Sequence, residues 1–180
     1  MSSSRTRLAL LVAGLLTALV AAAPGSGAAA RAAVSLPPGA VGPFQVRNQG
    51  TGRCMGYPAG DDRVRVWDCT TQTYQLWYLV PDHRGRYQLA NGIDGRCLAG
   101  WTQGPNGWSL WKAACDGSFT DVDQLWYVYP ADHSGSGPIS NLNGRVLEPD
   151  RGAGGVNGSR VAIWDNQGLP TQQWGLTYVQ

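Results

Sequence analysis

Short segments in which apolar and polar residues alternate recur along residues 44–180. VRVWDC (64–69) and VAIWDN (161–166) alternate, whereas QLWYLV (75–80) and QLWYVY (124–129) are rich in aromatic and β-branched residues. Both patterns are typical of β-strands. Sequences such as NGIDG, QGPNG and GGVNG separate them and favour tight turns. Because no segment of this region has the period of an amphipathic helix, the pattern predicts an all-β domain.

The predicted strands repeat in three units, called units one, two and three, at residues 43–80, 81–130 and 131–180. Each unit has a Gly-Arg turn (TGRCMG, DGRCLA, NGRVLE), then a central strand (VRVWDC, LWKAAC, VAIWDN), then a Q-x-W motif. The Q-x-W tryptophans are 49 and 48 residues apart: Trp77, Trp126 and Trp174. A unit of four short strands is too small to bury its own apolar face. Three units are therefore expected to pack around one axis, with these tryptophans as structural parts of a shared core.

Four cysteines occur in these units and allow three pairings. The Gly-Arg turn and the central strand each hold one cysteine in units one and two, as Cys54 with Cys69 and Cys97 with Cys115. In unit three both positions lack cysteine, since Val146 and Asn166 stand there. Paired presence and paired absence predict the disulfides Cys54–Cys69 and Cys97–Cys115. Such pairing is usual in exported chains and leaves no cysteine for metal binding or catalysis.

The first 33 residues have the order of a secretory signal peptide: a basic head, an apolar run of sixteen residues, and small residues with cleavage choices near Ala32 or Ala33. A membrane anchor is the second interpretation, because the run is short for a bilayer span. We expect a secreted, extracellular protein without membrane insertion, in which residues 34–43 are a linker and residues 44–180 form the domain. Removing the leader changes the net charge from +2 to about −1, which does not favour nucleic acid as a partner.

Three units that carry G-R-C-[LM], W-x-C and Q-x-W resemble the ricin B-type lectin family over nearly all of residues 44–180. The resemblance implies a β-trefoil of twelve strands, six in a barrel and six capping it. It also implies a carbohydrate partner, a glycan or polysaccharide, bound without a cofactor at up to one shallow site per unit. Family members occur alone or attached to toxins and glycosidases, which leaves open a separately encoded enzyme or toxin as partner.

In the family pattern a carboxylate after the C-[LM] pair accepts hydrogen bonds from sugar hydroxyls, and an aromatic ring covers the sugar's C–H face. Unit three matches this pattern best, with Glu148 as the acid, Trp164 as the aromatic residue, Asp165 after it, and Gln172 opening Q-x-W. The resemblance therefore implies a weak, shallow site in unit three.

Units one and two match the pattern less well. Unit one has Trp67 and Gln75 at the aromatic and Gln positions, but Gly56 replaces the acid. Unit two has Ala99 and Ala113 at the acid and aromatic positions, although Trp101, Trp108 and Trp111 lie close by in sequence. Trp67 and Trp164 could equally be packing residues, and the three Q-x-W glutamines are expected to bond turn backbone first.

The sequence thus favours a non-catalytic lectin. The alternative is a trefoil that binds protein, as a protease inhibitor or adaptor, with degenerate sugar sites. His83 and His133 each follow an aspartate in a glycine-ended turn, where aspartate is a common turn former rather than half of a catalytic pair. Two histidines fifty residues apart also offer no metal site.

Overall fold

The computed structural model describes residues 34–61, 63–129 and 135–180, and in them fourteen strands and four short 3₁₀ helices. The predicted signal peptide and His133 lie outside the described residues. The strands are β1 (Val41–Asn48), β2 (Cys54–Gly56), β3 (Arg65–Trp67), β4 (Leu76–Pro81), β5 (Tyr87–Asn91), β6 (Cys97–Ala99), β7 (Trp108–Ser109), β8 (Trp111–Ala113), β9 (Trp126–Val128), β10 (Ser136–Gly137), β11 (Ile139–Asn141), β12 (Val146–Pro149), β13 (Val161–Trp164) and β14 (Trp174–Tyr178). The 3₁₀ helices span Thr73–Gln75, Val122–Gln124, Arg151–Ala153 and Pro170–Gln172.

Antiparallel pairing closes six strand positions into a barrel. β1 pairs with β14 and β4, β4 with β5, β5 with β9, and β9 with β11. β10, which Pro138 separates from β11, pairs with β14 and completes the ring. The hairpins β2–β3, β6–β8 and β12–β13 form the cap, one from each unit. The predicted β-trefoil is confirmed, with the two-residue strands β7 and β10 in addition to the expected twelve.

Each unit anchors its Q-x-W tryptophan in the same way. The three rings are fully buried, and each indole Nε1 donates a hydrogen bond to a carbonyl of the cap hairpin in its own unit. The pairs are Trp77 with Met55 (2.9 Å), Trp126 with Leu98 (3.2 Å) and Trp174 with Leu147 (2.8 Å). This bond fixes the cap to the barrel while the ring fills the core, so one residue type serves both purposes.

A ring of backbone hydrogen bonds joins the three units where their central strands begin. Val64 N donates to Leu110 O (3.3 Å), Leu110 N to Val161 O (3.3 Å), and Val161 N to Val64 O (2.8 Å). All three residues are buried, and they occupy the same position in the three units. The pseudo-threefold axis is therefore held by main-chain bonds that each cross from one unit to another.

Both predicted disulfides are confirmed, Cys54–Cys69 and Cys97–Cys115. In each pair the Cα atoms are 4.9 Å apart. Unit three keeps the same strand register without the crosslink, because Val146 lies opposite Trp164 just as Cys54 lies opposite Trp67.

A buried asparagine at the end of the first strand organises the turn of each unit, a repeat that the sequence landmarks did not include. Asn48 Oδ1 accepts from Thr51 N, Asn91 Oδ1 from Ile93 N, and Asn141 Oδ1 from Asn143 N. The sequence feature that predicts this turn is an asparagine five or six residues before Cys54, Cys97 and Val146.

The expected linker at residues 34–43 requires correction. β1 begins at Val41, and Leu36 and Ala40 pack against the cluster that includes Cys97. Gly95, at φ +72°, lies so close to the Ser35 carbonyl that a side chain would not fit. The Pro- and Gly-rich composition is typical of a linker, but Leu36 and Ala40 within it are partly buried against the cluster that includes Cys97.

Candidate functional site

Glu148 lies on cap strand β12 with only 1 % of its surface exposed. Its Oε1 accepts hydrogen bonds from Arg151 Nε (3.0 Å) and Thr171 Oγ1 (2.8 Å). Its Oε2 accepts from Arg151 Nη2 (2.8 Å) and Gln172 Nε2 (2.9 Å). A buried carboxylate is tolerated only when it is paired and bonded, and four donors meet that condition. The predicted acid is therefore fully engaged by the protein itself.

The guanidinium of Arg151 also covers the predicted aromatic residue. Its central carbon lies 4.5 Å from the centroid of the Trp164 ring. The hydrogen bond to Glu148 raises the pKa of Arg151 above its ordinary value. Arg151 thus occupies the space between a carboxylate and an aromatic face, and the sequence landmarks gave no sign of it because it lies beyond the repeated segments.

The turn that carries Arg151 is fixed by its neighbour. Asp150 Oδ1 accepts from Gly152 N (3.0 Å) at the start of the 3₁₀ helix, and Asp150 Oδ2 accepts from Arg160 Nη2 (2.6 Å). The bond from Arg160 lowers the pKa of Asp150. The turn therefore remains anchored by a charged contact at neutral pH.

A groove of about 300 Å³ opens over Glu148 and Arg151. Its walls come from both units three and one: Thr51, Pro149, Gly155, Leu169 and Thr171. Gly155, at φ +63°, approaches Thr51 so closely that a side chain there would not fit. The groove therefore combines an ion pair on its floor with apolar and hydroxyl-bearing walls.

Asp165 lies in a different groove, although sequence placed it beside Trp164. Its Oδ2 accepts from Asn106 Nδ2 (2.8 Å), its backbone N donates to Asn106 Oδ1 (2.8 Å), and Arg145 Nε lies 3.2 Å from Oδ1. The same reciprocal bonding joins Asp68 of unit one to Asn157 of unit three. Asp165 is thus part of a contact between units two and three, and only Glu148, Trp164 and Gln172 come together.

In unit one the equivalent slot is filled. A side chain on Gly56 would come within 2.9 Å of the Tyr74 ring, so Tyr74 occupies the space of the missing acid. Gln75 is buried; its Oε1 accepts from Thr70 N (2.6 Å) and its Nε2 donates to Asp68 O (3.0 Å). Gln75, the predicted glutamine of unit one, therefore binds turn backbone.

Trp67 and Trp164 each pack an edge against a glycine turn of another unit. The nearest ring atoms would lie 3.6 Å from a Cβ on Gly158 and 3.5 Å from one on Gly107, respectively. Within the described residues, the buried Nε1 atoms of both tryptophans have no hydrogen-bond partner. The N-G dipeptides that carry these glycines are the sequence signal for the contact. For Trp164, one side faces this packing contact while Arg151 covers the ring.

In unit two a lysine takes a core position. Lys112 lies opposite Leu98, contacts Asp94 Oδ2 at 2.5 Å and places Nζ 3.6 Å from the centroid of the Tyr57 ring. Burial lowers the pKa of Lys112, and the bond to Asp94 opposes that shift. The contact between Lys112 and the Tyr57 ring joins units one and two.

Among the described residues, no cluster of three or more His, Cys, Asp or Glu side chains is placed to hold a metal ion. The same part of the chain contains no helix with the length and apolar character needed to cross a membrane.

The chain is similar to a known family of proteins over the three repeated units. The profile of the ricin-type β-trefoil lectin domain matches residues 42–174. The chain belongs to this family. A search of curated proteins finds none that matches it significantly.

Solved structures that resemble this ricin-type trefoil share its fold at low sequence identity. They include the designed three-fold symmetric protein ThreeFoil, with TM-score 0.67, 19 % identity, and coverage of 76 % of this chain and 98 % of that one. A ricin B-like lectin from Macrolepiota procera in complex with lactose has TM-score 0.64, 13 % identity and coverage of 76 % and 94 %. An exo-β-1,3-galactanase from Clostridium thermocellum has TM-score 0.68, 21 % identity and coverage of 77 % of this chain, but only 30 % of the enzyme.

Proposed function

We propose that the protein is a secreted, non-catalytic carbohydrate-binding protein whose sugar site is the unit-three groove over Glu148. The placement of Arg151 carries this proposal. Its planar, multiply donating group lies between the Glu148 carboxylate and the Trp164 ring. A sugar presents the same two features, hydroxyl donors and an apolar C–H face, so it can take the place of the guanidinium.

The first sugar to test is a galactoside. Membership of the ricin-type lectin family supports carbohydrate as the ligand class, and the similar Macrolepiota procera lectin was solved with lactose. A shallow groove that must release an arginine is expected to bind a single sugar with a Kd of about 1 mM, or about −4 kcal/mol. Useful retention on a glycan surface then depends on presentation of many sugars at once.

The proposed absence of catalysis rests on how the Asp–His segment of unit two is used. Asp82 accepts hydrogen bonds from Arg84 N, Arg86 N and Arg86 Nε, at 2.6–2.8 Å. These bonds outweigh the effect of burial and lower the pKa of Asp82. The carboxylate is thus committed to its turn rather than to orienting His83. Secretion is proposed from the leader-like sequence of residues 1–33.

The proposal is tested by titrating the purified protein with lactose by calorimetry, beside a glycan array. Glu148→Gln keeps the size of the side chain but removes the charge, and is expected to weaken lactose binding at least tenfold. Asp82→Asn is the matched control, because it removes a carboxylate charge in unit two, outside the groove, and should leave lactose binding unchanged. Equal lactose affinity of wild type and Glu148→Gln would exclude the unit-three groove as the sugar site. The protein-binding alternative would be favoured if the folded protein binds no glycan and if its binding to a protein partner is unaffected by free sugar.

A further inference from the structure

The groove over Glu148 already holds a cation that belongs to the chain itself. The guanidinium of Arg151 bonds to both oxygens of Glu148 and lies 4.5 Å from the centroid of the Trp164 ring. Within the described residues, it is the only cation in contact with this carboxylate. A ligand that takes its place must therefore compensate a buried negative charge as well as cover an aromatic face.

The two carboxylates that line the groove each have one arginine partner. Glu148 pairs with Arg151, and Asp150 pairs with Arg160. When Arg151 leaves, an uncompensated negative charge remains on Glu148, which is only 1 % exposed. A neutral sugar leaves that charge without a counter-ion, whereas a protonated amine restores one. The difference favours a cationic ligand, because unlike charges attract strongly where water is excluded.

The walls of the groove offer acceptors for further hydrogen bonds. Thr51 and Thr171 both lie on these walls. Thr51 Oγ1 donates to Asn48 Oδ1, and Thr171 Oγ1 donates to the Glu148 carboxylate. Each hydroxyl oxygen therefore keeps a lone pair for a ligand. A molecule that brings its own N–H and O–H donors suits this groove.

An ammonium group is held in similar surroundings elsewhere in the chain. Lys112 Nζ lies 2.5 Å from Asp94 Oδ2 and 3.6 Å from the centroid of the Tyr57 ring. The lysine side chain is only 2 % exposed, so the carboxylate and the ring replace most of its water. A carboxylate beside an aromatic face thus accommodates an ammonium in this protein, as it accommodates the guanidinium of Arg151.

We propose that the unit-three groove binds a protonated amino sugar in preference to a neutral sugar, with the ammonium group in the place of Arg151 against Glu148 and Trp164. The inference rests on the proposed sugar site and names the class of sugar that it selects. It differs from the family pattern, in which the carboxylate accepts hydrogen bonds from sugar hydroxyls. The selectivity follows from Arg151, which lies in a turn that units one and two do not share.

A basic side chain of another protein would bring the same charge, but the groove suits a sugar ring better. Its volume of about 300 Å³ is within the usual range for a small ligand. Pro149 and Leu169 provide apolar contact on the same walls as the two threonine hydroxyls. An aliphatic side chain that ends in a cation carries no hydroxyl to bond with these threonines. An amino sugar has the cation, the hydroxyls and the apolar C–H face together.

The test compares sugars that differ at a single carbon. Calorimetry at about pH 6, where an amino sugar carries its proton, measures the affinities of galactosamine, N-acetylgalactosamine and galactose. The β-1,4-linked glucosamine tetramer and its N-acetylated form repeat the comparison for the other common ring configuration. We expect at least one amino sugar to bind at least tenfold more tightly than its N-acetylated form. Glu148→Gln should abolish this preference, and Asp82→Asn, which removes a carboxylate in unit two, should leave it unchanged.

The outcomes separate this inference from the proposed function. Neutral sugars that bind as tightly as the amino sugars, and lose affinity in Glu148→Gln, overturn the inference but leave the sugar site in place. A preference for amino sugars that persists in Glu148→Gln also overturns it, because the selecting charge then lies elsewhere. Binding of argininamide as tight as that of the amino sugars would assign the groove to basic peptides instead. If no sugar binds, or if binding is indifferent to Glu148→Gln, both proposals fail.

Discussion

Arg151 and Glu148 form a two-point ion pair, with Nε 3.0 Å from Oε1 and Nη2 2.8 Å from Oε2. The pair is asymmetric in its exposure, because the arginine side chain is 36 % exposed and the glutamate side chain 2 %. The buried acid therefore depends on a partner that solvent, or a ligand, can reach.

Arg151→Ala should both destabilise the protein and open the groove. Loss of the cation leaves the buried carboxylate with Thr171 and Gln172 alone, which is expected to lower the free energy of unfolding by about 1–3 kcal/mol. Lactose should bind more tightly than to wild type, since no guanidinium has to be displaced. Urea denaturation and calorimetry measure the two effects. Arg86→Ala, which breaks the pair with Asp82 in unit two, is the control and should leave lactose affinity unchanged. Weaker lactose binding by Arg151→Ala would instead make Arg151 a sugar ligand.

The hydrogen bond from the Q-x-W tryptophan to the cap carbonyl should contribute much of the unfolding free energy that is lost when this tryptophan is replaced. Trp126→Phe removes the donor to Leu98 O and leaves a void in a fully buried site, so unfolding free energy should fall by roughly 2–4 kcal/mol. Trp101→Phe, at an exposed position, should cost less than about 0.5 kcal/mol. Chemical denaturation of both variants gives the comparison, and equal costs would contradict a structural role for Trp126.

Unit three should accept the disulfide that it lacks. Val146 and Asn166 occupy the positions of Cys54 and Cys69, and the strand register is the same. Val146→Cys with Asn166→Cys closes a loop of similar size, which is expected to stabilise the protein by about 3 kcal/mol in the chain-entropy model. Thiol titration should find no free cysteine, and the guanidinium midpoint should rise. Two titratable thiols in the folded variant would show that unit three departs from the geometry of the other two.

Acid should weaken the protein through aspartates that anchor turns. Hydrogen bonds from Ser118 Oγ and from the backbone of Asp121, Ser118 and Thr120 lower the pKa of Asp116 far below its usual value, as Arg160 lowers that of Asp150. A carboxyl with a lower pKa in the folded state stabilises the protein above its unfolded pKa of about 3.9. That contribution is lost as the pH falls below about 4.

Asp116→Asn provides the measurement for this dependence. The difference in unfolding free energy between wild type and variant should be largest near pH 7 and smaller at pH 3, as followed by urea denaturation. A difference that grows on acidification would reverse the assigned sign.

Repetition made the architecture readable from sequence. Trp77, Trp126 and Trp174 recur because each unit solves the same packing problem, and the cysteine pairs follow the same rule. Comparing the three units with one another was enough to predict the strands, the turns and the disulfides. These features depend on nearby sequence or on a position that recurs from unit to unit.

The details of the candidate site depend on contacts that a comparison of repeats does not reveal. Arg151 lies in a turn that is unique to unit three. Tyr74 fills the acid position of unit one only because Gly56 has no side chain there. Asp165 is held by Asn106, 59 residues away in another unit. Leu36 lies in a segment with linker composition yet packs on unit two. The outcomes at Asp165 and Leu36 depend on a neighbour in another unit, and those at Arg151 and Tyr74 on residues that the other units do not share.

The ring of Val64, Leu110 and Val161 bears on how the chain reaches its folded state. Two of its three bonds involve Val161, and barrel strand β1 finds one of its partners only in β14. One edge of β1 therefore stays unpaired until β14 has been synthesised. Contacts so distant in sequence are associated with slow folding. Closure of the ring is therefore expected late in folding, after unit three has joined the other two.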